Sequence, residues 1–183
     1  MLAYHIDRYN RLKENEVINL MNDINVDPRV LKEIMDERYP DGLSFHGNTY
    51  YARQPQTREE IQDVFTENIF EYERKLNYAH MPSRFQSFFA SETMKELRFW
   101  FKKLGNQESF AVWEVEFEHY DFVKLDASWL GTDMDKPSFL TSAYYAENYW
   151  SGKSSDHPQY ELLIKSPIRV VKRVPYSELM VGE

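Results

Sequence analysis

The stretch Gln159-Tyr160-Glu161-Leu162-Leu163-Ile164, then Lys165-Ser166-Pro167, then Ile168-Arg169-Val170-Val171 reads as two apolar strands around a Ser-Pro turn. One glutamate opens the first strand. Strand side chains alternate with period two, so Gln159 and Glu161 share a face. A carboxylate and an amide side by side at a strand entrance suit a polar ligand that offers hydroxyl groups. Taken alone, the same glutamate also reads as a solvated residue on an edge strand.

Working outward, residues 2–6 form a short apolar strand, and residues 9–20 a loop or weak strand with Val17-Ile18-Asn19-Leu20 as its best part. Residues 26–38 read as a helix, with Asp27 as N-cap and Pro28 at the first helical position. The turn formers of residues 40–48 predict the longest loop. A strong helix follows, capped by Thr57 in a Thr-x-x-Glu box with Glu60, its apolar positions Ile61, Val64, Phe65, Ile69 and Tyr72 at helical spacing. Residues 84–90 are a strand candidate. A helix begins near Ser91 and runs to Leu104, stopped by Gly105-Asn106. Residues 110–117 alternate as a strand with a wet face, residues 122–125 add another strand, and residues 142–150 a short helix. Strands and helices alternate irregularly, which predicts an α+β fold and not a doubly wound sheet.

With 183 residues the chain is sized for one domain, 1–183, with a substantial core. Its 13 Tyr and 12 Phe against 6 Gly exclude a disordered chain. The absence of cysteine excludes disulfides, thiolate zinc sites and cysteine nucleophiles. A net charge of −8 argues against broad binding along DNA, while leaving room for a pocket that takes one nucleotide. No run approaches the roughly 18 apolar residues of a membrane span, and the start Met-Leu-Ala-Tyr-His-Ile-Asp-Arg lacks a leader pattern. The expectation is a soluble, cytoplasmic protein with no membrane contact. No Gly-x-Gly-x-x-Gly, no Gly-Lys-Ser/Thr loop and no His-x-x-x-His metal spacing occurs, so no metal is expected.

Three stretches remain for chemistry. Tyr4-His5-Ile6 on the opening strand places a half-buried histidine that either orients a ligand or is satisfied by a carbonyl. Pro82-Ser83-Arg84-Phe85-Gln86-Ser87-Phe88-Phe89-Ala90-Ser91 mixes an aromatic pair with Ser, Arg and Gln, suiting either an aromatic ligand ring or a core strand with a polar face. The third is the Gln159-x-Glu161 strand. The His46-Gly47 pair in the turn-rich segment has no assigned role.

Taken in order, these stretches resemble the ADP-ribosyltransferase superfamily, in the branch with the poly-ADP-ribose polymerases, diphtheria toxin and the rifampicin-modifying transferases. Tyr4-His5-Ile6 is similar to the family's first-strand histidine segment, and Phe88-Phe89-Ala90-Ser91-Glu92-Thr93 to its Tyr-Phe-Ala motif. Tyr160-Glu161-Leu162-Leu163-Ile164 is similar to its late-strand glutamate. The resemblance spans nearly the whole chain and implies a split, mainly antiparallel β-sheet core flanked by helices. It implies transfer of ADP-ribose from NAD to a protein or nucleic-acid acceptor, a glycosyl transfer by a toxin or effector, with an antitoxin or inhibitor protein among its partners. Glu161, with Gln159, is the implied catalytic position. His5, Tyr4, Arg84, Ser87, Phe88, Phe89 and Phe99 are the implied NAD contacts. His5 and Glu161 are then expected on adjacent strands facing one cleft, with one of the two phenylalanines turned to the ligand. Two departures, Ile6 in place of glycine after the histidine and Phe88 in place of tyrosine, keep open an inactive ADP-ribosyltransferase-like binding module. A third reading is an interaction module with Tyr144, Tyr145, Tyr149 and Trp150 as exposed anchors.

Overall fold

The computed structural model describes residues 1–105, 107, 109–131 and 138–179. Among them seven strands form: β1 Leu2–Asp7, β2 Val17–Ile18, β3 Ser87–Ala90, β4 Ala111–Glu116, β5 Phe122–Asp126, β6 Tyr160–Lys165 and β7 Ile168–Arg173. They pair antiparallel in two sheets, β1-β4-β7-β2 and β3-β6-β5. The mixture of helices with antiparallel sheets agrees with the α+β expectation. The two sheets meet at a bridge between Tyr4 and Ser91, whose amides donate to each other's carbonyls at 2.8 and 2.7 Å.

Six α-helices occur among the described residues: α1 Arg29–Arg38, α2 Phe45–Gly47, α3 Arg58–Asn77, α4 Met94–Lys103, α5 Phe139–Trp150 and α6 Tyr176–Leu179. Several depart from the sequence expectation, and capping explains most of the differences. Pro28 has an extended backbone and is itself the N-cap of α1, so Asp27 stands one residue too early to cap it. In the expected loop of residues 40–48, the Ser44 hydroxyl accepts from the Gly47 amide and starts α2, which runs into a π turn at Asn48–Ala52. The Ser83 hydroxyl accepts from Phe85 N and turns Arg84–Gln86 into a 3-10 turn, so β3 begins only at Ser87. Thr93 and Glu96 form the capping box of α4, leaving Ser91 to bridge Tyr4. Gly105, at φ +98°, ends that helix, while Asn106 lies outside the described residues. Ser138 caps α5, which starts three residues before the expected position, and α6 has no counterpart in the sequence expectation.

One core is shared by both sheets: Ala3, Val115 and Val170 of the first pack with Ala90, Leu162 and Ile164 of the second. The other face of the second sheet, with Leu163 and Leu125, is covered by Ile69 and Phe70 of α3 and by Tyr149 and Trp150 of α5. Tyr149 and Trp150 are therefore core residues and not exposed anchors. Their burial follows from helical geometry, which turns Ala146, Tyr149 and Trp150 to one side. No helix among the described residues is long and apolar enough to cross a membrane.

Helix α3 is rotated from the expected orientation. Ile69 is buried as expected, but Ile61, Phe65 and Tyr72 are exposed, while Glu67, Glu71 and Arg74 are buried. The two carboxylates hold the turn that precedes β3. Glu71 accepts from the Ser83 hydroxyl at 3.0 Å, the Tyr39 hydroxyl at 2.9 Å and the Arg74 guanidinium. Glu67 takes the next residue along, Arg84.

Candidate functional site

Register places Glu161 in a protected position. It sits on β6, the central strand of its sheet, with only 9% exposure, so the solvated edge-strand reading does not apply. Phe89 pairs with Leu163 and Phe88 with Ile164. Alternation therefore puts Glu161 on the face of Phe89 and Leu163, beneath α5.

Arg84 meets it there. The guanidinium is 4% exposed and donates through Nε and Nη2 to the two oxygens of Glu67, at 2.8 and 2.9 Å. Its Nη1 donates to Glu161 Oε1 at 2.6 Å and to the Tyr149 hydroxyl at 2.6 Å. The Tyr149 hydroxyl donates in turn to the same Glu161 Oε1 at 2.8 Å. Burial and the neighbouring Glu161 push the Tyr149 phenol well above its usual value, against the pull of Arg84, so it stays a donor. Burial would depress the Arg84 guanidinium, but Glu161 and Glu67 hold it well above its ordinary value. Burial would likewise raise the Glu67 carboxyl, yet Arg84 and then His46 bring it well below the usual carboxylate range. The cluster thus sets two buried carboxylates against one guanidinium. It holds Glu161 by one oxygen, and none of the described residues donates to Oε2.

The sequence-predicted residues divide around this cluster. Strand β3 stands between β1 and β6, and His5 lies on the sheet face opposite Glu161, so the two are neither on paired strands nor facing one cleft as expected. The His5 ring lies against Phe88, with centroids 4.3 Å apart, on the opposite face of β3 from Phe89. The outer strand of the second sheet, not β1, flanks β6 on its other side, which is why the direct pairing fails. What His5 and Glu161 share is Phe89. His5 Nδ1 is 2.7 Å from the Phe89 carbonyl, and the Phe89 ring lies under Arg84 at 4.8 Å. A carbonyl only accepts, so Nδ1 carries the proton. Burial lowers the His5 pKa from 6.5, outweighing the Phe89 bond and Asp7, and with the proton on Nδ1 the lone pair lies on Nε2.

Other expected NAD contacts are used inside the protein. Arg84 is spent on its carboxylates. Ser87 is 1% exposed and donates to the Ser83 carbonyl, so it faces no ligand. The Tyr4 ring packs on the cluster of Leu97 and Phe101 under α4. Phe99 is half-buried on α4, edge-on to Trp100, whose indole N–H donates to the Tyr160 carbonyl. Gln159 precedes β6, where its amide N–H donates to Asp126 and its side chain stays near the surface.

Sequence reading assigned no role to Glu67 or His46. His46 Nε2 lies 3.0 Å from Glu67 Oε1, and its ring is 4.6 Å from those of Phe89 and Tyr50. Gly47 makes this approach possible. Ser44 donates both N–H and O–H to the Phe85 carbonyl, drawing α2 onto the turn before β3. A Cβ at Gly47 would collide with that same carbonyl. Gly47→Ala is therefore expected to cost about 1–3 kcal/mol through overpacking, measurable as a lower denaturant midpoint at unchanged slope. An unaltered midpoint would show that α2 is not seated against Phe85.

No group of three or more His, Asp or Glu suited to a metal ion occurs among the described residues. A model of the family described as "Protein of unknown function (DUF2441)" matches residues 3–176. No curated protein matches the sequence.

Proposed function

As the chain belongs to the DUF2441 family over residues 3–176, whose description assigns no activity, we propose from the site's chemistry that it is an NAD-dependent ADP-ribosyltransferase. It transfers ADP-ribose to a protein or nucleic-acid acceptor and releases nicotinamide, on a split antiparallel core of the ADP-ribosyltransferase type. The observation that carries this reading is Glu161, fixed through Oε1 by Arg84 and Tyr149, with no donor to Oε2 among the described residues. Breaking the bond between nicotinamide and ribose builds positive charge on the sugar. A preorganised carboxylate that accepts a ribose hydroxyl strengthens its hold as that charge develops. The excess of buried negative charge, Glu67 and Glu161 against Arg84, favours the same cationic transition state.

Further support comes from the order of the strands. The three motif stretches, distant in sequence, lie side by side as β1, β3 and β6. Phe89, the phenylalanine on the face of Glu161, supplies aromatic surface there. A toxin or effector role in the cytoplasm, with an antitoxin or inhibitor as partner, belongs to the same proposal.

The test is incubation of the purified protein with adenosine-labelled NAD and cell lysate, with and without nuclease, while following nicotinamide release. Label on a macromolecule, with release of nicotinamide, supports the transferase. The ion pair that ties Glu161 to Arg84 favours an inactive binding module as the second reading, and NAD binding without release would decide for it.

A further inference from the structure

The His46-Gly47 segment is built into the site from outside the three motif strands. Ser44 and Gly47 seat α2 on the Phe85 carbonyl, two residues before β3. That seating puts the His46 ring against Phe89, on the sheet face that carries Glu161. Its Nε2 is buried and makes no well-aligned hydrogen bond, yet stands 3.0 Å from Glu67 Oε1. A carboxylate so close favours the proton on Nε2 and leaves the lone pair on Nδ1, for which no partner occurs among the described residues. The same oxygen of Glu67 accepts from Arg84, so His46, Glu67, Arg84 and Glu161 form one continuous chain.

On the reading of the site as an ADP-ribosyltransferase, we propose that His46 is the general base that takes the acceptor's proton, with Glu67 as the residue that orients it. The acceptor class is then a neutral nucleophile that must lose a proton, X–H, such as a hydroxyl or a ring N–H. As X bonds to C1′ of the nicotinamide-side ribose, its proton passes to His46 Nδ1. The bond from C1′ to nicotinamide breaks, and its electron pair goes to the ring nitrogen, so nicotinamide leaves neutral. The imidazolium formed is balanced by Glu67. Carboxylate, imidazole and reacting nucleophile are arranged as in other triads where a carboxylate fixes the histidine tautomer. The charged and titratable groups around His46 are Glu67 and Asp63 of α3, Arg84 of the turn before β3, Tyr50 of its own segment and Arg8 after β1.

The test separates nucleophiles with and without a proton to lose. Nicotinamide release from NAD is measured for the wild type and His46→Gln, with water alone and with added azide, an anion that needs no base. With water the variant is expected to lose roughly 10²–10⁴-fold in rate, and azide is expected to raise it toward the azide-supported wild-type rate. In the wild type, water-dependent release should fall on acidification, as expected of a step that needs a base, while azide-dependent release stays level; this comparison needs no variant. Equal losses with both nucleophiles, an undiminished water rate, or parallel pH profiles in the wild type would overturn the role of His46 alone. A wild type that releases no nicotinamide with either nucleophile overturns the transferase reading itself.

Discussion

Arg84→Met is expected to lower the unfolding free energy by about 3–5 kcal/mol, the usual cost of removing one partner from a buried charge network. Methionine fills much of the arginine stem's space, so the loss is one of charge more than of volume. It leaves Glu67 and Glu161 buried together without their cation. The pH dependence identifies the cause. In the wild type the Glu67 carboxyl lies below its ordinary value of 4.5, so its contribution is complete above that pH. It is lost as pH falls through the folded-state value. In the variant, burial no longer opposed by the guanidinium raises the Glu67 carboxyl, so the penalty is present at neutral pH and relieved on acidification. Chemical denaturation at pH 7 and pH 5 should show the deficit narrowing at the lower pH. A deficit that stays constant would mean that packing, not charge, is what Arg84 supplies.

Under the proposed transferase reading, Glu161→Gln is expected to reduce nicotinamide release by roughly 10²–10³-fold, the loss typical of one preorganised electrostatic contact. The amide keeps the shape of the carboxylate and an oxygen for Arg84 and Tyr149, so folding should survive with a penalty of about 1 kcal/mol. NAD affinity should change little, because the aromatic contacts are untouched and the removed interaction grows only in the transition state. Calorimetric NAD binding beside a nicotinamide assay separates the two quantities. A variant as fast as the wild type would remove Glu161 from the chemistry.

The strands were legible because alternation and β-branched runs are local signals: the edges of β1, β4, β5, β6 and β7 were read within one or two residues. Helix α3 was misread because two stripes compete on it. Ile61, Phe65 and Tyr72 share one helical spacing, Glu67, Glu71 and Arg74 another. The second faces inward despite its charge. Its partners Tyr39, Ser83 and Arg84 come from other segments, and nothing local in the helix announces them. For the same reason Glu161 could be singled out from its strand, but its clamp could not. Arg84 looked like a ligand contact and Tyr149 like a surface anchor until the sheet brought both onto one carboxylate oxygen.

Strands β6 and β7 follow every other strand in the chain, yet each occupies the interior of its sheet, β6 between β3 and β5 and β7 between β4 and β2. Emerging from a ribosome, the chain therefore presents two sheets with their middles missing until residues 160–173 are free. Before then β3 and β5 have no common neighbour, and the Arg84–Glu161 contact, spanning 77 residues, cannot form. Such non-local pairing slows folding. It also means that catalytic competence under the proposed reading arrives in one late step, and that a nascent or truncated chain is inert.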